Sequence, residues 1–134
     1  MTVTLHNIDS LPAPPPGSSH LTRASGDRIV HISGQVGQDE NGAIVPGGLA
    51  AQFERAILNV GLALDAAEAS EEDLAKMTFY VVDWDPSMLE ELGRGASAAR
   101  EHRQFPDVAV TLIGVKSLFS PEMLIEVEAV AVTD

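Results

Sequence analysis

The sequence contains no cysteine, and this absence excludes several kinds of chemistry at once. Disulfide bonds, thiolate metal sites and cysteine nucleophiles all require a residue that the chain does not have. Histidine is sparse, and the four histidines never stand in the His-x-His or His-Glu-x-x-His spacing that metal sites use. We therefore expect a protein that binds no metal and needs no cofactor.

Basic side chains are also few. Eight lysines and arginines stand against 20 aspartates and glutamates, which gives a formal net charge of −12. Such a charge repels phosphate backbones and anionic lipid headgroups. No stretch approaches the roughly 18 consecutive apolar residues of a membrane span, and the first 20 residues lack the pattern of a secretory leader. These features predict a cytoplasmic protein with neither a nucleic-acid partner nor a membrane partner.

The apolar residues that are present are sufficient for one core. A chain of 134 residues with 45% hydrophobic content predicts a single domain over residues 1–134. Residues 1–25 are expected to form an N-terminal strand and a proline-rich arm, because the run LPAPPPGSS at 11–19 disfavours helix. Residues 26–132 are expected to form the core.

Periodicity predicts two helices and several strands. Apolar residues spaced by three and four predict a helix over 49–67, and Pro86 is expected to open a second helix that reaches Ala99. The turn residues Asn41 and Gly42 predict a hairpin between RIVHISGQV and AIV. The remaining predicted strands are MTFYVVD, VAVTLIGV and MLIEVEAVAV. The mixture indicates an α+β fold.

The last two predicted strands indicate a sheet that is covered on both faces, since both are apolar on both sides. Two helices can cover only one side of a sheet of about five or six strands, so we expect a second copy of the chain to cover the other side. Glu126 and Glu128 alternate with Ile125, Val127 and Ala129. If the helices cover the apolar face, both acids point into an interface between subunits.

Three segments together resemble a known family. They are HISGQVGQDENGAIV, the helix QFERAILNVGLALDAAEAS followed by EEDLAKMTFYVVD, and the ending LIEVEAVAV. Over residues 26–132 the chain resembles the RidA/YjgF family of small reactive-intermediate deaminases. The resemblance implies a chorismate-mutase-type α+β fold with two helices on one face of the sheet. It also implies a homotrimer in which the open faces form a barrel and ligand clefts lie between subunits.

The resemblance also implies a chemistry. Active members hydrolyse enamines and imines to keto acids and ammonia, using an arginine that pairs with the substrate carboxylate and a glutamate that directs water. The glutamate falls on Glu126, the arginine falls on Val110, and an aromatic residue of the arm falls near Ser19. Glu126 is thus the expected catalytic residue. The expected ligand-binding residues are Ser19, Ser33, Gly34, Val110 and Thr111.

The missing arginine changes the expected ligand. Neither Val110 nor Thr111 replaces a guanidinium, so we expect a neutral or weakly polar ligand and a single converging charge at Glu126. Two hypotheses stay open. One is a hydrolase of an imine, enamine or related carbonyl metabolite other than the usual 2-iminoacids. The other is a non-catalytic trimer that binds a small apolar metabolite or a partner.

Several roles also stay open at the level of single residues. Glu126 has a catalytic and a purely structural interpretation, whereas Glu128 is interpreted as structural. His31 is expected in a core or an interface, with a place in the cleft as the alternative, and His20 is expected to be solvent-exposed. The ribonuclease label attached to some similar proteins is disfavoured by the charge of −12.

Overall fold

The computed structural model describes residues 2–134 and shows an α+β fold. Met1, the first residue of the predicted arm, lies outside the described residues. The elements in chain order are β1 (Thr2–His6), β2 (Leu21–Ser25), β3 (Arg28–Val36), α1 (Gly48–Ala66), β4 (Leu74–Val82), α2 (Leu89–Arg100), β5 (Ala109–Val115) and β6 (Ile125–Thr133). Short 3₁₀ turns at Glu71–Asp73 and Pro86–Met88 lead into β4 and α2.

The main sheet has four strands in the order β3-β6-β4-β5, with β4 and β5 parallel and the other pairs antiparallel. The expectation of five or six strands in one sheet was wrong. β1 and β2 pair with each other as a separate antiparallel sheet. The strand order places β5 at one edge of the main sheet. The arm meets the main sheet at this edge, through a bridge between Ser19 and Ala109.

The predicted hairpin after β3 is only partly present. Residues 43–45 form no strand, and a single bridge joins Gln38 to Ile44. The side chain of Asp39 accepts hydrogen bonds from the backbone amides of Asn41 and Ala43, which closes the turn locally. Gly42 has a φ of 81°, as this turn requires. The local closure leaves too short a segment for a paired strand.

Helix α1 provides the main cover of the sheet. Its buried stripe faces β3 and β6 and contains the predicted residues Leu49, Phe53, Ile57, Val60 and Leu64. On β6 the apolar positions are buried under this helix, and the acids lie on the other face. The predicted alternation of β6 is confirmed, and the sheet is left with one face that no helix covers.

Helix α2 packs against α1 instead of lying flat on the sheet. The close approach depends on Gly95, where an added Cβ atom would lie 2.6 Å from the carbonyl oxygen of Ala50. Because α2 rests on α1, the strands β4 and β5 are not covered closely on the helix side. This arrangement opens a cavity above them.

Arg103 ties three parts of the fold together. Its guanidinium donates to Asp65, with Nη2–Oδ1 at 2.6 Å and Nη1–Oδ2 at 3.1 Å, and its Nε donates to Glu71. The side chain lies directly on Gly61, where a Cβ atom would be 2.7 Å from Arg103 Cδ. The hydrogen bond from Arg103 lowers the pKa of Asp65 below its ordinary value of 3.8. Arg103 thus links the end of α1, the turn before β4 and the loop after α2.

We expect this network to weaken in acid. A carboxyl whose folded pKa is lowered contributes stability above its ordinary pKa, here 3.8, and that stability is lost as pH falls through the folded pKa. Urea unfolding midpoints measured between pH 6 and pH 2.5 should therefore fall less steeply in Asp65→Asn than in the natural chain. Asp9→Asn, at an exposed aspartate of the arm, is the control. Equal slopes for Asp65→Asn and the natural chain would contradict the assignment.

Candidate functional site

Glu126 lies directly over Gly34 on the uncovered face of the sheet. A Cβ atom added at Gly34 would be 2.0 Å from Glu126 Oε2 and 2.4 Å from its Cδ, so only glycine fits beneath this carboxylate. The pairing of β3 with β6 is irregular between Ile32 and Gln35, and this irregularity contains Ser33 and Gly34. Two residues that the sequence assigned to one site, Gly34 and Glu126, are therefore in contact.

The two glutamates of β6 have different surroundings. Tyr80, which stands opposite Glu126 on β4, donates its hydroxyl hydrogen bond to Glu128 Oε1. That bond, with desolvation and the charges of both glutamates, raises the pKa of Tyr80 above its ordinary value of 10.0. Tyr80 therefore stays a hydrogen-bond donor at neutral pH. No described residue donates a hydrogen bond to the carboxylate of Glu126, which is half-buried.

A lysine also lies on the uncovered face. Lys76 stands opposite Val130 on β6, and its Nζ donates to Thr111 Oγ1 at 2.6 Å. Thr111 is thus already bound to a cation on the same face as Glu126. His31 of β3, the other neighbour of β6, also pairs with Val130, and its side chain is exposed on this same face. Glu126 is therefore not the single charged group here.

Val110 lies on the other side of the sheet. It is paired with Met77, a buried core residue, and it packs against the core as a half-buried side chain. Within one chain Val110 and Glu126 are therefore on opposite faces. Ser19 lies near the start of β5, where its amide donates to the carbonyl of Val108 at 3.1 Å and its hydroxyl donates to that of Asp107 at 2.5 Å.

A cavity of about 310 Å³ opens on the helix side above β4. Side chains of β4 form its floor, α1 and α2 form its walls, and the proline-rich arm forms part of its rim. The lining is mostly apolar and consists of Pro15, Pro16, Gly17, Phe53, Ile57, Met77, Phe79, Leu89, Leu92, Gly93, Ala96, Ser97, Arg100 and Phe105. Its volume is at the lower end of the range typical of small-molecule sites.

Arg100 is the charged member of this lining, and its Nη2 forms an ion pair with Asp107. The helix-side cavity therefore has a cation in its lining, one that the family motif does not predict. The signal for this arginine in the sequence was weak. Arg100 ends α2 and lies ten residues before Val110, far from the position that the motif assigns to an arginine.

His20 is a second correction. It was expected to be exposed to solvent, yet it is half-buried and uses both ring nitrogens. Nδ1 accepts from the amide of Ile8 at 2.8 Å, and Nε2 lies 2.7 Å from the carbonyl of Pro12. Because the amide of Ile8 can only donate and the carbonyl of Pro12 can only accept, Nδ1 is the acceptor and Nε2 is the donor. His20 thus holds the arm in the fold that brings Pro15, Pro16 and Gly17 to the cavity.

Among residues 2–134, no group of three or more histidine, aspartate or glutamate side chains is placed to hold a metal ion. Within the same residues, no helix is both long enough and apolar enough to cross a membrane.

Comparison with known proteins now identifies the family. Residues 13–133 match the family model described as Endoribonuclease L-PSP. The chain belongs to this family. A solved structure from Yersinia pestis, described as a protein of unknown function of the conserved Rid family, is 33% identical with a TM-score of 0.86. The match covers 98% of this chain and 99% of that one. The RidA/YjgF resemblance and the α+β fold with two helices are thus confirmed.

Two further relatives extend the comparison of this Rid chain. The structure of TdcF from E. coli with bound serine is 20% identical, with a TM-score of 0.68 over 98% of this chain and 99% of that one, and shows the shared fold. A bovine 2-iminobutanoate/2-iminopropanoate deaminase is 40% identical over 58 residues, which are 42% of each chain. The match thus spans less than half the length of that deaminase.

Sequence reasoning missed three polar residues of this Rid chain that lie near the predicted site. Tyr80 and Lys76 share the uncovered face with Glu126, and strand alternation in AKMTFYVVD places them on one side. Arg100 lies at the cavity on the other face. Alternation alone could have found the first two, because the acids of β6 had to meet the polar side of a neighbouring strand.

Proposed function

We propose that this Rid-family chain forms a homotrimer whose inter-subunit clefts hydrolyse an imine, an enamine or a related carbonyl metabolite other than the usual 2-iminoacids. The observation that carries this proposal is Glu126, held over Gly34 with no hydrogen bond from a described residue. A carboxylate in that state accepts a proton from water and so makes the water a better nucleophile. Glu126 is the proposed catalytic residue, and Gly34 fixes its place.

The positions of the predicted residues favour a site built from two chains. Glu126, Gly34 and Thr111 belong to the uncovered face, whereas Val110 and the cavity belong to the helix side. One chain cannot present both faces of its sheet to one small molecule. A cleft that uses Glu126 together with the cavity therefore needs Glu126 from one subunit and the cavity from its neighbour.

The uncovered face also favours self-association. It exposes Ile29, with 65% of its surface accessible, and Ile113, with 41% accessible, beside polar Tyr80 and Lys76. Large exposed apolar side chains on a helix-free sheet face are typical of a surface that another subunit covers. Ser33 lies on the exposed part of the β3 irregularity, where we propose a hydrogen bond to the ligand.

The proposed reaction is an addition followed by an elimination. Glu126 accepts a proton from water while the water oxygen bonds to the carbon of the C=N group, and the π electrons move to nitrogen, which takes that proton from Glu126. The hydroxyl proton of the resulting carbinolamine then passes to nitrogen, and ammonia leaves as the hydroxyl oxygen forms the C=O bond. Water supplies one oxygen and two hydrogens, so an imine and water give a carbonyl compound and ammonia. An enamine first takes a proton on carbon to become the imine.

We expect little ammonia release from 2-iminopropanoate or 2-iminobutanoate generated in place by an amino-acid oxidase. Val110 offers such a small anion no charge, and Arg100 at the cavity is already paired with Asp107. A three- or four-carbon body brings too little carbon into the cavity to displace Asp107, and a missing charge-assisted pair costs roughly a hundredfold or more. Val110→Arg should raise this activity by roughly tenfold, because Val110 points to the cavity side of the sheet. Ammonia release above the uncatalysed rate is the measurement.

Val110→Met is the matched control, since it adds length without charge. If Val110→Met gives the same gain as Val110→Arg, shape and not charge is responsible. High activity of the natural chain on both small imines would contradict the proposed exclusion of the usual 2-iminoacids.

A second candidate function is a non-catalytic trimer that binds a small apolar metabolite. The observation that favours it is the mostly apolar lining of the helix-side cavity. Ligand binding without ammonia release from any imine of a broad panel would support this candidate and contradict the hydrolase.

A further inference from the structure

We propose that the helix-side cavity selects a small carboxylate with an apolar body, and that Arg100 holds the carboxylate after Asp107 is displaced. The cavity is part of the site of the proposed function, so this inference names a ligand class for that site. Arg100 comes from α2 and not from β5. It therefore supplies a cation from a direction that differs from the one Val110 would offer.

The cavity floor and walls fit an apolar body. Phe53 of α1 and Phe79 of β4 meet edge to face with ring centroids 4.9 Å apart, and both line the cavity together with Leu92 and Phe105. Aliphatic and aromatic walls favour the transfer of apolar carbon out of water in proportion to the area covered. A volume of about 310 Å³ accepts a body larger than that of a three- or four-carbon acid.

Arg100 is held at the rim between the arm and the start of β5. Its Nη2 contacts Asp107 Oδ1, and it lies 3.9 Å from the point where a Cβ atom of Gly17 would stand. Gly17 has a φ of 86°, which lets the arm pass close to the guanidinium without a side chain between them. Ser97, one turn before Arg100 on α2, adds a hydroxyl group to the same lining.

The ion pair is weak enough for a ligand to replace. The side chains of Arg100 and Asp107 are 42% and 50% exposed, and ion pairs that face water are screened and hold weakly. The pair runs through Nη2, whereas a guanidinium has five N–H donors and binds a free carboxylate with two parallel bonds. A ligand carboxylate that brings an apolar body into the cavity therefore has an advantage over Asp107, which returns to water.

Isothermal titration calorimetry on the natural chain tests the ligand class with hexanoate, hexanamide, hexylammonium and acetate. We expect hexanoate to bind at least tenfold more tightly than hexanamide, and acetate to bind at least tenfold more weakly than hexanoate. Equal binding of hexanoate and hexanamide would overturn the role of the carboxylate. Tighter binding of hexylammonium than of hexanoate would also overturn it, because Asp107 and not Arg100 would then select the charge of the ligand. No binding of hexanoate at millimolar concentration would also overturn the proposal.

Variants test the residue. Arg100→Gln should weaken hexanoate at least tenfold and leave hexanamide unchanged, whereas Asp107→Asn should strengthen hexanoate severalfold because it removes the competitor. Arg94→Gln is the control, since Arg94 lies on the same helix with Glu90 at 3.7 Å and does not line the cavity. Unchanged hexanoate binding in Arg100→Gln would overturn the assignment to Arg100.

These measurements need no turnover, so they separate the two proposals. Hexanoate binding without ammonia release from any imine would leave the carboxylate site standing and contradict the hydrolase. Ammonia release without a preference for hexanoate over hexanamide would do the reverse.

Discussion

Replacing Glu126 by glutamine is expected to lower ammonia release from the best imine substrate by roughly a hundredfold or more. The glutamine keeps nearly the same shape over Gly34 but has no charge and almost no basicity, so it cannot accept a proton from water. The unfolding midpoint and the oligomeric state should stay close to those of the natural chain. The rate of ammonia release, measured beside the uncatalysed rate, is the readout.

Glu72→Gln is the matched control for this variant. Glu72 is exposed in the turn before β4, and its replacement removes the same charge from the chain at a place outside the site. If Glu126→Gln and Glu72→Gln both keep full activity, Glu126 has a structural role only. Such a result would contradict the proposed role of Glu126 in hydrolysis and would favour the non-catalytic trimer that binds a small apolar metabolite.

Replacing Gly34 by alanine should lower the same activity by at least roughly tenfold, although the carboxylate remains. The new Cβ atom would stand 2.0 Å from Glu126 Oε2, so the carboxylate must move away from its place over β3. Because both changes act on one proton acceptor, Gly34→Ala combined with Glu126→Gln should be no less active than Glu126→Gln alone. The kinetics of the two single variants and the double variant give the answer.

Additive losses in the double variant would contradict the idea that Gly34 acts by positioning Glu126. Full activity of Gly34→Ala would show that the Glu126 carboxylate is active from a position other than the one over Gly34.

Local periodicity predicted the parts of the fold that depend on short stretches of chain. The stripe of α1 and the alternation of β6 follow from neighbours three, four or two residues apart, so they could be read directly from the sequence. The number of strands in the main sheet could not be predicted in this way, because β2 pairs with β1 and not with a strand of the main sheet. Strand pairing joins distant segments, and no local pattern determines it.

The residues of the candidate site were likewise predictable only in part. The motif led to Glu126 and Gly34, which the fold places in contact. The motif gave no place to Arg100, because its position at the cavity depends on the packing of α2 on α1 and on the path of the arm. A single sequence records neither, so the cation of the cavity could be found only in the folded chain.

The central claim is that Glu126 of one subunit serves the cavity of its neighbour, and activity recovery in mixed oligomers tests it most directly. Glu126→Gln removes the proton acceptor, and Ser97→Trp blocks the cavity with a bulky side chain at an exposed lining position. Each variant alone should be nearly inactive. Unfolded together and refolded at equal amounts, they should recover about one quarter of the natural activity, because random assortment leaves that share of two-chain sites intact. A mixture no more active than the two variants apart would contradict a site shared between subunits.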